Sequence, residues 1–285
     1  MYLSIKAYVR SDILVGAHQM NLLRLYYLGS VIKGIGNFLK LIYTIYTAII
    51  FFISLIVTMP FFFIFSWTLG KHALGPIVFL CRCIAYSLMV FCGIIYRFHR
   101  NKNTNKKRPY VIVANHRSNL DAPAAAISWP GRVRYLAKKE LLKIPLVGQI
   151  FSVTTVNVDR TSRESKLKSV ELLKKYLLAG DNIFMFVEGT RNKTDRPLID
   201  FKDGAFNIAI QTQTPILPML FINTDILMPN KKPLMRPGII DIYHFEPIEV
   251  TGLTDADVPK LKEQVRSFME EKFIEITTQK NKRLK

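Results

Sequence analysis

Cysteine is nearly absent: the three present, Cys81, Cys83 and Cys92, fall in one apolar stretch with no histidine or acidic residue at ligand spacing. That excludes a disulfide framework and a thiolate metal site, and it suits a reducing compartment. Acidic residues are also scarce, 21 against 40 Lys and Arg, and the resulting charge of +19 calls for an anionic partner surface. No serine occupies a Gly-x-Ser-x-Gly elbow and no activated cysteine is evident, so nothing requires a covalent enzyme intermediate. The N-terminus lacks a compact apolar core followed by a small-residue cleavage site, so its segments are expected to be retained and secretion is not expected.

What is abundant is apolar surface. A hydrophobic share of 49% in so basic a chain is unusual for a soluble nucleic-acid binder and natural for an enzyme working at a membrane surface. No helix-turn-helix or aromatic stacking signature accompanies the charge, so no nucleic-acid partner is expected. From Leu41 to Gly70 no charged residue occurs, a run long enough to cross ~30 Å of hydrocarbon as a helix. A second apolar stretch, Ala73 to Tyr96, is divided by Gly75, Pro76 and Arg82. A transmembrane hairpin and a helix pair sunk in one leaflet both fit, with a buried soluble pair as the plainer alternative. Pro60 is expected to kink or end the first helix, which favours the shallow arrangement.

Residues Asn21 to Lys40 mix Leu22, Leu23, Leu25, Tyr26 and Phe38 with Arg24, Lys33 and Lys40, as an interfacial helix does and as ordinary amphipathic packing does equally. Arg97 to Arg108 carries six Lys or Arg and no acidic residue. Such a run favours anionic lipid by about 1 kcal/mol per basic side chain and marks a cytoplasmic side, although a solvated linker has the same composition. The expected organisation is a membrane-associated unit over residues 1–100 and a second unit over 101–285, at the cytoplasmic face of an inner or plasma membrane.

After Pro109 short apolar strands alternate with helical patterns, which predicts an α/β fold: a mixed, mostly parallel central sheet flanked by helices. Strands are expected at Tyr110–Ala114, Val133–Leu136, Val153–Val158, Asn182–Val187, Ile216–Ile222 and Ile239–Phe245. Helices are expected at Thr161–Leu178, opened by a capping box of Thr161 with Glu164, at Asp203–Gln211 and at Val258–Ile276.

Two polar clusters follow apolar strands directly: Asn115-His116-Arg117-Ser118-Asn119-Leu120-Asp121, and Glu188-Gly189-Thr190-Arg191. Ligand sites in open α/β sheets gather beyond the carboxyl ends of strands, so the clusters are expected to share a crevice. His116 and Asp121 are five apart and would diverge on a regular helix, so the chain between them must turn if they are to meet. Alone, the pair reads equally as a base with its orienting carboxylate or as a structural histidine beside a helix cap. Arg191 can donate bidentate bonds to a phosphate, Gly189 admits a ligand close to the backbone, and Glu188 could orient Arg191 or a substrate hydroxyl. A turn with a surface ion pair is the plainer reading of that cluster.

The segments NHRSNLD, AKKELLKIPLVGQIF, VDR, FVEGTRNKTDRPLIDFKDGAFNIA and TPILPM follow the order and approximate spacing of the motif blocks of the 1-acylglycerol-3-phosphate acyltransferase family, which the stretch Val111–Met219 resembles. The resemblance implies that His116 and Asp121 are the catalytic pair, and that Lys138 or Lys139 of the second block helps bind the acceptor phosphate. It implies that Glu188, Gly189, Thr190 and Arg191 contact substrate, with Arg191 on the phosphate, and that Pro215 and Pro218 shape the acyl-donor side. It further implies transfer of an acyl group from acyl-CoA or acyl carrier protein to a lysophospholipid, with no metal or redox cofactor. Another lysolipid acceptor, such as a lyso-ornithine lipid, or a catalytically silent membrane-binding protein, remains a rival. Two departures stand out: SVTTVNVDR has no glycine, and Val187 replaces the proline that commonly precedes the glutamate.

Overall fold

The computed structural model describes the backbone of residues 2–158 and 163–283, with side chains from residue 26 onward apart from 27, 163, 166, 281 and 283. The strands are β1 (Ile94–His99), β2 (Val111–Ala114), β3 (Val133–Lys138), β4 (Thr155–Val158), β5 (Asn182–Phe186), β6 (Ile216–Ile222) and β7 (Gly238–His244). They form one sheet in the order β1-β7-β6-β2-β5-β3-β4. β2 to β6 run parallel, β7 is antiparallel to β6, and β1 is parallel to β7. The expected mixed, mostly parallel sheet is therefore present.

The helices are α1 (Tyr2–Leu69), α2 (Leu74–Cys92), α3 (Asp121–Ser128), α4 (Val147–Thr154), α5 (Arg163–Leu178), α6 (Gly204–Gln211), α7 (Thr224–Leu227) and α8 (Val258–Arg283). α4 had no counterpart in the expected assignment: it takes up Val153 and Thr154, and β4 starts two residues later than expected. The expected Thr161 cap and the Asp159–Arg160 pair lie outside the described residues.

Parallel strands covered on both faces need continuous apolar runs, which is why β2 reads VIVA and all seven residues of β6 are buried. Val111 and Val113 point into a core completed by Leu173 and Leu177 of α5, Phe206 of α6 and Val265 and Met269 of α8. Ile112 and Ala114 point the other way, against Ala85 and Leu88 of α2 and Ala124 and Ala125 of α3. One helix of the apolar N-terminal pair thus forms part of the wall of the α/β core.

α1 and α2 are long and apolar enough, over Leu28–His72 and Leu74–Cys92, to cross a membrane. Leu55, Met59 and Phe62, at helical spacing, pack α1 on Ala73, Ile77, Leu80 and Ile84. Polar groups fasten the pair: Tyr43 and Tyr46 donate to the carbonyls of Cys92 and Phe91, and the hydroxyls of Ser54 and Ser87 lie 2.6 Å apart. Much of the remaining surface is apolar and exposed, including Trp67, Phe61, Phe63, Phe79 and Phe91. Among the described residues from Tyr26 to Lys40 almost every side chain is exposed, so this part of α1 packs no face against the protein. Pro60 does not end the helix: it sits on the exposed side while Met59 and Phe62 hold the turn around it against α2.

Arg82 divides the second apolar stretch for an internal reason. Its Nε donates to Ala126 O at 3.3 Å, and Nη2 donates to Trp129 O at 2.7 Å and Gly131 O at 2.9 Å, so it caps the carboxyl end of α3.

The basic run needs correction. α2 ends at Cys92, Gly93 adopts a left-handed conformation (φ 64°), and Ile94–His99 pairs along its whole length with β7. β1 therefore lies in the sheet although it precedes residue 100. Arg97 is bidentate to the fully buried Asp241, which also takes bonds from His99 and Lys280, and Arg108 pairs with Glu249. Two of the six basic side chains are thus neutralised internally. The strand escaped notice because an edge strand carrying Arg and His resembles the charged flank of a membrane helix.

Arg82→Ala strands three carbonyls in and just beyond the last turn of α3 and should destabilise the protein by roughly 1–3 kcal/mol, seen as a lower Tm in detergent. An unchanged Tm would show that these bonds contribute nothing.

Candidate active site

The site begins where β2 ends. The side chain of Asn115 continues the sheet, donating to Phe221 O at 3.0 Å and accepting from Phe221 N at 2.8 Å, so the chain leaves β2 pinned to β6. It then turns around one carboxylate. Oδ2 of Asp121 accepts from the backbone N–H of Arg117 and of Ser118 and from Nδ1 of His116, each at 2.7 Å. This is the turn that brings residues five apart into contact. Asp121 is fully buried at the start of α3, where the helix dipole favours its negative charge.

A carboxylate only accepts, so Nδ1 of His116 carries the proton and Nε2 presents its lone pair. Nε2 has no hydrogen-bond partner among the described residues, and the side chain is 21% exposed. The imidazole stacks on Phe186 at the end of β5, with centroids 4.1 Å apart and planes at 16°. Its plane is set by a ring and its tautomer by an acid, which leaves one nitrogen able to take a proton from a bound hydroxyl.

The second cluster holds the first. His116 N donates to Glu188 Oε1 at 3.2 Å, and His116 O accepts from Asn192 N at 2.6 Å. Glu188 is fully buried, and burial pushes its carboxyl up to about 8, against the opposing pull of the His116 amide and the Arg117 charge. Gly189 turns the chain at φ 69°, where a Cβ would also meet the Lys202 side chain at 3.0 Å.

Glu188 does not orient Arg191, as the sequence had allowed. That contact belongs to Asn230, whose Oδ1 accepts from Arg191 Nη1 at 3.3 Å. Nor is Arg117 free for a ligand: it pairs with Asp225, donates to Arg196 O and Pro197 O, and lies 5.4 Å from the centroid of Phe273. Thr190 is exposed and has no bonded partner among the described residues.

Lys138 closes β3 and Lys139 opens the 3-10 turn Lys139–Lys143, at the same sheet edge as His116 and Glu188. Both are exposed and unpaired among the described residues, and no contact joins either to His116. Gly148 lets α4 press on this turn, since a Cβ there would lie 2.1 Å from Leu142 O. Pro215 O accepts from Val111 N, and Pro218 O from Phe245 N.

Sequence reasoning placed Asn115 in the first cluster without its role in pinning β2 to β6, and it missed Phe186, Asp225 and Asn230. Asn230 is 113 residues from Arg117 in a short loop without a motif, so no local signal marks it. Val187, standing where proline is common, is informative: its N–H donates to Ala114 O at 3.2 Å, a bond proline cannot make.

A family model described as "Acyltransferase" matches residues 95–222, starting inside β1. The chain is 32% identical over 193 residues to human 1-acyl-sn-glycerol-3-phosphate acyltransferase beta, covering 67% of this chain and 69% of that protein. It is 30% identical over 214 residues to the Saccharomyces cerevisiae 1-acyl-sn-glycerol-3-phosphate acyltransferase, covering 73% and 69%. A putative enzyme of the same description from Caenorhabditis elegans is 30% identical over 225 residues, covering 76% of each chain. In fold, the chain is similar to the crystal structure of the Thermotoga maritima 1-acyl-sn-glycerophosphate acyltransferase PlsC, with a TM-score of 0.67, 24% identity, and coverage of 84% of this chain and 96% of that one.

An unfolded glutamate titrates near 4.3, so the folded state binds the Glu188 proton more tightly. This contribution to stability is complete below about pH 4.3 and is lost as pH rises towards about 8. Glu188→Gln, which keeps an acceptor for His116 N, should flatten that part of a Tm-against-pH curve. An unaltered slope would show that Glu188 is ionised in the folded protein.

Proposed function

The chain belongs to the 1-acyl-sn-glycerol-3-phosphate acyltransferase family, and we propose that it moves a fatty acyl group from acyl-CoA or acyl carrier protein to the sn-2 hydroxyl of 1-acylglycerol-3-phosphate, giving phosphatidic acid. The observation that carries this reading is the unpartnered Nε2 of His116, held by Asp121 in the tautomer of a general base. Nε2 takes the hydroxyl proton as the oxygen bonds to the thioester carbon. The tetrahedral adduct then collapses, the C–S bond breaks, and the imidazolium returns the proton to the departing thiolate. Asp121 stabilises the imidazolium in between. No serine or cysteine is bonded to His116 among the described residues, which supports direct transfer.

Arg191, with Lys138 or Lys139, holds the acceptor phosphate, so that binding energy aligns hydroxyl, base and thioester. Glu188, Gly189 and Thr190 line the same substrate side. The exposed apolar surface of α1 and α2 sits in the bilayer, with Arg100, Lys102, Lys106 and Lys107 at anionic headgroups on the cytoplasmic face. The reaction needs no resident metal or redox cofactor.

The purified protein, offered a panel of lysolipids with each thioester, should yield phosphatidic acid by mass spectrometry. His116→Ala should lower kcat by roughly 10²- to 10⁴-fold while liposome binding is retained. Arg191→Ala should chiefly raise KM for phosphate-bearing acceptors. Near-normal transfer by His116→Ala would sink the mechanism.

A further inference from the structure

Asn230 stands in the connection between β6 and β7, residues 223–237, beyond the segment that the family model matches. Its amide meets three groups from two different loops. Nδ2 donates to Arg117 O at 2.6 Å and to Asn192 O at 3.3 Å, while Oδ1 accepts from Arg191 Nη1. Two carbonyls need donors and a guanidinium needs an acceptor, so an asparagine in this one orientation satisfies all three.

We propose that Asn230 is a positioning residue for the acceptor: it aims Arg191 at the phosphate and ties that arginine to the turn carrying His116. The proposal rests on the phosphate-bearing acceptor assigned above and names what holds its ligand in place. The contrast with Arg117 supports it. Arg117 spends its guanidinium on Asp225 and two carbonyls, whereas Arg191 makes one side-chain bond among the described residues and keeps the rest of its five N–H donors for a ligand. A guanidinium tethered at one corner is oriented without being consumed.

The tether is itself anchored. Asp225 pairs with Arg117 at 2.7 Å, Met228 O accepts from Ser118 Oγ at 2.9 Å, and Met235 N donates to Thr44 Oγ1 of α1 at 2.7 Å. Asn230 is therefore held from both sides, and its reach to Arg191 fixes the distance between the phosphate ligand and the base. That separation matches the acceptor to the site, because the hydroxyl must meet Nε2 while the phosphate meets Arg191.

Steady-state kinetics of wild type, Asn230→Ala, Arg191→Ala and the double variant, with lysophosphatidate as acceptor, test the assignment. Asn230→Ala should raise KM for the acceptor roughly tenfold, leaving the donor KM unchanged and kcat within about threefold. The double variant should match Arg191→Ala alone, since Asn230 acts through that arginine. Additive losses, an equal rise in both KM values, or an unchanged acceptor KM would overturn the role. Tm is measured alongside, and Asn230→Ser takes the place of the alanine variant if that one unfolds. Failure of the wild type to acylate lysophosphatidate with any thioester overturns the acceptor reading, and the role of Asn230 with it.

Discussion

A single carboxylate oxygen, Oδ2 of Asp121, organises the centre of this protein. It gathers two backbone amides and an imidazole within 2.7 Å, and so decides both how the chain reverses after β2 and which nitrogen of His116 carries the proton. The amides hold the carboxylate as firmly as it holds them, so the acid is preorganised before any ligand arrives. The remaining contacts at the site, from Phe186 behind the ring to Asn192 on the backbone carbonyl of His116, keep this arrangement from rotating.

Two buried acids sit side by side here with opposite characters. Asp121 offers one oxygen to three N–H donors at a helix start, whereas Glu188 takes the His116 amide at 3.2 Å and burial pushes its carboxyl up to about 8. Neighbouring carboxyl groups whose surroundings differ this much take different roles. Asp121 supports the imidazole, and Glu188 supports the main chain that presents it. The extra ladder bond from Val187 to Ala114 adds to that support by drawing β5 and β2 together one residue beyond β5 itself.

Much of this was legible in residue order, because parallel strands buried on both faces need unbroken apolar runs and these announce themselves in β2, β5 and β6. The two polar clusters that follow such strands, carrying His116, Asp121 and Arg191, could be placed at one end of the sheet for the same reason. What could not be read were contacts between distant segments. Arg82 looked like a flaw in a membrane helix and is the cap of α3, and β1 looked like the charged flank of that helix and is an edge strand paired with β7. Asn230 gave no sign at all, since its role exists only once three loops meet. Periodicity reports what a residue does within its own element, and these residues act on other elements.

α3 joins two features described separately. It is eight residues long, about 12 Å at 1.5 Å per residue, with Asp121 at its first turn and the guanidinium of Arg82, from an apolar helix, at its last carbonyls. It therefore works as a ruler between Arg82 of the apolar pair and the Asp121–His116 contact. The guanidinium of Arg82 and the carboxylate behind His116 are thereby kept two helical turns apart by one short, rigid rod.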